Sequence, residues 1–312
     1  MDDTLVDWFE LIVEEHKRDP FDVLHAYFLP KAGFVAAYAG KYLNIPSVVS
    51  IRGNDVERAA FDPSKFSHVM YALQNASAVT TNASELAKKA KAFVDRDIHL
   101  IPNGIDTDLF KFLEKNNTLA ETLHIQPSTS NVIGFVGELR KKKGMGPILS
   151  AYAQVNKKYP STLLIVGEVR QGDDINTFND FQLSNPGAKI IVTGHISHND
   201  LPAYYSLIDI FVHPSLRDGM PNAILEAMAC EKAVIATPVG GARDILEDGV
   251  NAAIVNVNDQ DMLEEKIIEL LGDHQKRQVI GTNARKTITS KFTLEKELQA
   301  NLDVYKKLGF SM

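Results

Sequence analysis

A single cysteine, Cys230, in 312 residues excludes an internal disulfide framework, and it sits in the apolar stretch AILEAMAC. No apolar run approaches the roughly 20 residues that span a bilayer, and the opening MDDTLVDWFE lacks the basic and apolar regions of a secretory signal. The reading is a soluble, cytoplasmic chain, with peripheral contact at a membrane left open. Positive charge is scarce as well: 33 Lys and Arg against 40 Asp and Glu give a net charge of -7. That balance counts against nucleic acid or anionic lipid as the main partner. Only the run Arg140, Lys141, Lys142, Lys143 goes the other way. Internal repeats are absent, and no G-x-G-x-x-G follows a strand and opens a helix, which sets a dinucleotide oxidoreductase aside.

What is present suggests two domains, each able to bury a core. From about residue 131, short β-rich runs alternate with helical patterns. The strand candidates are Val132 to Val136, Leu163 to Val166, Ile190 to Val192, Ile208 to His213, Ala233 to Ala236 and Ala253 to Val257. None alternates strongly, as expected of a parallel sheet covered on both faces. Crossover helices are expected over Met145 to Lys158, Asn199 to Leu207, Pro221 to Cys230 and Met262 to Leu271. The first third repeats this grammar less completely, with strands at Val23 to His25, Ser47 to Ile51, Ala78 to Thr81 and Ile98 to Ile101 and helices near Lys31 to Leu43 and Ser84 to Phe93. A polar link, Asn103 to Asn131, joins the halves. The expected division is a reduced Rossmann-like domain at 1–125, a ligand-binding Rossmann-like domain at 126–290, and a last helix at 291–312 that packs back toward the first domain.

The most informative segment is HPSLRDGMPNAILEAMA, 213–229, which follows a strand and opens a helix at the carboxyl edge of the sheet. Pro221 suits the first helical position, and the free N–H groups of that turn would favour an anion such as pyrophosphate. Glu226 interrupts an apolar run, and a carboxylate buried there is costly unless hydrogen-bonded; ribose hydroxyls would satisfy it. Asp218 and Glu226 do not suit a glycoside hydrolase pair. Eight helical residues separate backbones by roughly 12 Å at 1.5 Å per residue, whereas retaining hydrolase carboxylates lie roughly 5 Å apart. Two carboxylates holding opposite ends of one elongated ligand fit better, although Asp218 taken alone reads equally as a turn residue.

This segment resembles the donor-binding signature of family 4 glycosyltransferases, with Asp218 in place of the usual glutamate. GFVGELRKKKG (134–144), LLIVGE (163–168), VTGHISHNDLPAYYSLIDIFVHPS (192–215) and ATPVGGARDILEDGVNAAIV (236–255) are similar to that family's successive segments in order and spacing. The resemblance implies the GT-B fold, two doubly wound α/β domains facing a cleft, with the first incomplete. It implies that Glu226 binds the nucleotide ribose and that Asp218, with the backbone of Gly219, Met220 and Asn222, faces the donor sugar and phosphate. Lys143 matches the lysine that neutralises the pyrophosphate, so that no metal or other cofactor is needed. Glu138 stands where the family has an arginine after Gly137, and Arg140 is the substitute expected nearby. Gly194 and Ile196, with Val169, would receive the base, for which UDP is the default expectation.

The segment DVLHAYFLPKAGFVAAYAGKYLNIPSVVSIRGNDV, 22–56, is similar to the family stretch that ends in histidine, glycine and aspartate. Arg52 replaces the histidine. An arginine can hold a phosphate oxygen but cannot act as a base near neutral pH. The resemblance implies retaining hexosyl transfer by front-face attack, as in polysaccharide biosynthesis, to a glycan, lipid-linked or small acceptor. About twenty residues precede Asp22 where the family has a strand, a glycine-rich loop and further elements. The exposed sheet edge this would leave points to self-association through the first domain or to weak activity; a sugar-nucleotide-binding subunit that needs a partner is the competing reading.

Overall fold

The computed structural model describes residues 3–126 and 131–310, so 127–130 of the polar link lie outside the described residues. The chain divides into two units, Met1–Asn103 with Glu295–Met312, and Gly104–Leu294. Residues 104–125, placed with the first domain on sequence grounds, group with the second unit. Arg285 gives the physical reason. Its guanidinium donates to the carbonyls of Thr107 (3.0 Å), Phe110 (2.5 Å) and Ala229 (2.7 Å), and the Phe110 ring is buried against Tyr205.

The first unit holds four strands, β1 (Leu24–Tyr27), β2 (Ser47–Ile51), β3 (Ala78–Thr81) and β4 (His99–Leu100), all parallel and in that order. Every position of β2 and β3 is buried, because both faces are covered. Val49, Ile51 and Val79 pack with Val69, Leu73 and Leu86 on one face. Val48 and Ala78 pack with Val304 of the helix Leu294–Lys307 on the other. Tyr305 of the same helix meets His25 Nδ1 at 2.6 Å.

Strand β1 is a sheet edge. Beside it lies a helix that sequence reasoning did not assign, Asp3–Arg18. Its inward residues Leu5, Phe9, Ile12 and Val13 recur at helical spacing, and Phe9 meets the rings of Tyr38 and Tyr42 edge-on at 5.3 Å each. Trp8, Leu11 and Ile12 face β1 across a cavity of about 350 Å3. The expected helix at Lys31 instead starts as a π-helical turn, Leu29–Gly33, followed by the helix Phe34–Leu43. Helices Pro63–Asn75 and Asp173–Ser184 were also unassigned on sequence.

The second unit holds β5 (Asn131–Val136), β6 (Ser161–Val166), β7 (Lys189–Val192), β8 (Ile210–His213), β9 (Ala233–Ala236) and β10 (Ala253–Ile254). All are parallel, in the order β10-β9-β8-β5-β6-β7. Neighbouring residues of β5 serve opposite faces: Val132 and Val136 join one apolar cluster, Ile133 and Phe135 the other. These two parallel-sheet units give the chain the GT-B α/β fold.

Glu231, between the helix Asn222–Ala229 and β9, adopts a left-handed backbone with φ 58°. A side chain costs about 1–2 kcal/mol there, partly offset by the freer unfolded chain that glycine brings. Glu231→Gly is therefore expected to stabilise the protein by about 0.5–1 kcal/mol and raise Tm by about 2 °C, read by a thermal melt; a lower Tm would show that the glutamate side chain contributes more than its backbone strain costs.

Candidate functional site

The strand order of the second sheet reverses between β5 and β8, and open α/β sheets take ligands at the carboxyl ends of strands at such a reversal. Strand β5 runs on to Gly137 and the basic turn Lys141–Lys143, while β8 runs into the loop before the helix Asn222–Ala229. The two loops are tied together. Leu216 N–H and Ser215 Oγ both donate to the Lys142 carbonyl, at 3.0 and 3.2 Å, and Thr237 Oγ1 at the end of β9 donates to the Ser215 carbonyl at 2.5 Å. Close approach requires glycine at two points. Gly144 has φ 81° and Gly240 φ 54°, and a Cβ on the first would strike the Pro214 carbonyl, on the second the carbonyls of Asp218 and Gly219.

Asp218 stands where these loops meet. Its Oδ2 accepts from Lys143 Nζ at 2.5 Å and lies 3.1 Å from His213 Nε2, while its Oδ1 accepts from the Gly219 N–H at 3.0 Å. Burial works against the charge, but the hydrogen bond from His213 and the ammonium of Lys143 hold the carboxyl well below its ordinary 3.8. His213, which sequence reasoning did not single out, is the third member of this cluster. Its ring is stacked with Phe135 and Phe211 at 5.9 and 6.1 Å, and burial lowers its pKa against the pull of Asp218. Held with its proton on Nε2, it donates to Asp218 and fixes the carboxylate for Lys143.

Pro221 is the residue before the helix, not its first position; the helix begins at Asn222. A φ of -82° and ψ of 93° place Pro221 in extended backbone. One turn further on, Glu226 is 5% exposed. Tyr205, buried and also unanticipated, donates to Glu226 Oε2 at 2.9 Å, and His198 Nε2 lies 3.6 Å from Oε1. Tyr205 thus supplies part of the hydrogen bonding that sequence assigned to ribose hydroxyls. Burial raises the Glu226 pKa above its ordinary 4.5, against the opposing effects of Tyr205 and His198.

Gly137, Glu138 and Ile196 line one cavity of about 260 Å3 together with Glu168 and His195. Val169 lies instead in the core, bridged to Leu139, and Gly194 donates its N–H to the Gly167 carbonyl at 3.0 Å. The Met220 side chain is likewise buried in the core. Arg140, the expected substitute for an arginine after Gly137, pairs with Glu138 at 3.1 Å. Arg52 belongs to the first unit, where its guanidinium donates to Asn103 Oδ1 at 2.8 Å and lies 4.4 Å over the Tyr27 ring. Among the described residues no group of three or more His, Cys, Asp or Glu side chains is placed to hold a metal ion, and no helix is long and apolar enough to cross a membrane.

The second unit is thus an open parallel α/β sheet with an acidic and a basic side chain paired at its switch point and a buried carboxylate in the helix that follows. Residues 123–287 match the family model for glycosyl transferases group 1, and residues 5–109 that for glycosyltransferase family 4. The chain belongs to the group 1 glycosyltransferase family. It is 32% identical over 66% of its length to the capsular polysaccharide biosynthesis glycosyltransferase CapM of Staphylococcus aureus, spanning 54% of that protein. It is 24% identical over 93% of its length to the UDP-Gal:alpha-D-GlcNAc-diphosphoundecaprenol alpha-1,3-galactosyltransferase of Escherichia coli, of which it spans 76%. Among solved structures, Anabaena HepE in complex with UDP superposes with a TM-score of 0.84 at 23% identity, over 96% of this chain and 81% of HepE.

Proposed function

We propose that this chain transfers a hexose from a UDP-sugar to a hydroxyl acceptor with retention at the anomeric carbon. The observation that carries this reading is the convergence of Lys143, Asp218 and His213 at the switch point, one helix turn from buried Glu226. Glu226 takes the ribose hydroxyls. Lys143 has three N–H donors, so it can keep Asp218 and still reach a diphosphate, whose charge grows as the glycosidic bond breaks. Asp218 and the Gly219 and Asn222 backbone face the sugar and phosphate, and the cavity at Gly137, Glu138 and Ile196 takes the base. The acceptor hydroxyl forms the new bond to the anomeric carbon on the face the diphosphate leaves, and the departing phosphate oxygen takes its proton. No metal and no protein base enters this scheme, which suits an arginine at position 52. The relatives' names support the donor and the polysaccharide context: HepE is solved with UDP, and the Escherichia coli enzyme is named for UDP-galactose and a lipid-linked acceptor.

Isothermal titration of the protein with UDP and with GDP tests the donor reading. Micromolar binding of UDP, with GDP weaker, is the expected result; binding of neither would make the chain a subunit that needs a partner before it takes a donor.

A further proposal concerns the edge strand β1, which among the described residues pairs only with β2 and lies beside the exposed apolar side chains Trp8 and Leu11. We infer that a second copy of the chain associates there. Light scattering is expected to give the mass of a dimer; a monomer mass at high micromolar concentration would discard the idea.

A further inference from the structure

We propose that the first unit carries a subsite for a sugar ring bearing a negative charge, with Phe28 as the platform under the ring and Arg58 holding the anionic group. A cavity of about 650 Å3 opens at the carboxyl ends of β1 and β2, within the about 300–1,000 Å3 usual for small-molecule pockets. The argument uses six of its lining residues: Phe28, Asn54, Asp55, Arg58, Asp62 and Lys65.

Phe28 is the first reason to see a ligand there. Its backbone has φ 70° and ψ 131°, a conformation that a bulky aromatic residue adopts only under constraint. The constraint is visible. Phe28 N–H donates to the Ser50 carbonyl at 3.0 Å, its own carbonyl accepts from Gly33 N–H at 2.8 Å, and a π-helical turn follows at once. Buried Asp55 locks both neighbouring loops, accepting from Leu29 N–H at 2.9 Å and from Arg52 N–H at 2.7 Å. What this strain achieves is exposure: Phe28 remains 52% accessible at the cavity wall. Held strain and π-helical turns gather at functional sites, and an exposed aromatic face beside polar groups suits the C–H face of a pyranose.

Charge is the second reason. Lys65 and Asp62 at the cavity neutralise each other at 2.6 Å. The Arg58 guanidinium is exposed and has no hydrogen-bond or ion-pair partner among the described residues. The remaining acid of the lining, buried Asp55, is taken up by the N–H groups of Leu29 and Arg52, so Arg58 is the cation at the cavity left to meet an anion. A planar guanidinium grips carboxylate and phosphate alike, and Asn54 can bond ring hydroxyls. The ligand's role as acceptor rests on the transferase reading; its binding does not.

Three probes test the subsite by saturation-transfer NMR titration without donor: methyl β-glucuronide, glucose 6-phosphate and methyl β-glucoside. The two charged probes are expected to bind at least about tenfold more tightly than the neutral one, and the tighter of the two tells carboxylate from phosphate. Arg58→Ala should abolish that preference. Phe28→Gly should weaken all three probes by about tenfold or more while Tm stays level or rises, since glycine relieves the backbone. Equal binding of the three probes, no binding by any of them, or a Phe28→Gly variant that binds as the wild type does would overturn the proposal. So would a large fall in Tm for Phe28→Gly, which marks a packing residue. A UDP titration run alongside separates the two readings, because charged-sugar binding without UDP binding leaves the subsite standing while the donor reading fails for this chain on its own.

Discussion

Glu226→Gln is expected to weaken UDP binding by about tenfold to a hundredfold while the protein stays folded. Hydrogen bonds to an ionised acceptor contribute about 1.5–3 kcal/mol each, against about 0.5–1.5 for neutral ones, and 1.4 kcal/mol is a factor of ten in affinity. Glutamine keeps the shape and can still accept from Tyr205, so the change isolates the charge. The pH dependence gives an independent signature. Burial raises the carboxyl's pKa above 4.5, outweighing Tyr205 and His198, so wild-type affinity falls on acidification sooner than it would for an exposed glutamate. Stability runs the opposite way: a raised carboxyl pKa means the protonated form fits the fold better, and that contribution fades as pH rises through the folded value. The Gln variant should show neither trend at this position. Titration of both proteins across mildly acidic pH checks this, and unchanged UDP affinity in the variant would remove Glu226 from the site.

Lys143→Ala should lower turnover of the UDP-sugar by about a hundredfold to a thousandfold, the usual cost of removing one donor aimed at developing charge. KM should move much less, because the ammonium matters most as the diphosphate departs. The geometry adds a second effect. Lys143 and His213 share Asp218 Oδ2, so deletion leaves a largely buried carboxylate short of one partner, and stability should fall by about 1–3 kcal/mol. The double variant Lys143→Ala with Asp218→Asn should recover most of that stability and none of the turnover. UDP release and thermal melting together separate the roles; restored turnover in the double variant would mean that Lys143 acts only as a structural counterion.

The strands of both sheets were legible because buried parallel strands are short apolar runs, and Ser47–Ile51, Ala78–Thr81 and Ala233–Ala236 fall where the sequence puts them. Helix Asp3–Arg18 was equally readable from its apolar spacing, and Pro63–Asn75 from Asp62, whose side chain accepts from the Ser64 N–H ahead of the first turn. The site was half legible. Glu226 could be named because a charge in an apolar run demands a reason, whereas Lys143 and Asp218 were named through the family resemblance, each alone reading equally as a surface or turn residue. His213 and Tyr205 could not, since a ring at a strand end or inside a helix reads as core until the carboxylate beside it is known. Phe28 lay further out of reach: FLPKAG reads as the approach to a helix, and nothing local announces a positive φ on a phenylalanine.

The first unit is made of two stretches of chain, and Val304 and Tyr305 close one face of its sheet. On a ribosome this reverses the usual order. Residues 104–294 are contiguous and can complete their core as they emerge, while strands that emerged earlier wait, with Val48 and Ala78 uncovered, until the helix Leu294–Lys307 is made. The half synthesised first is the half finished last, and a released chain that stops before residue 295 should bind UDP without a whole first unit.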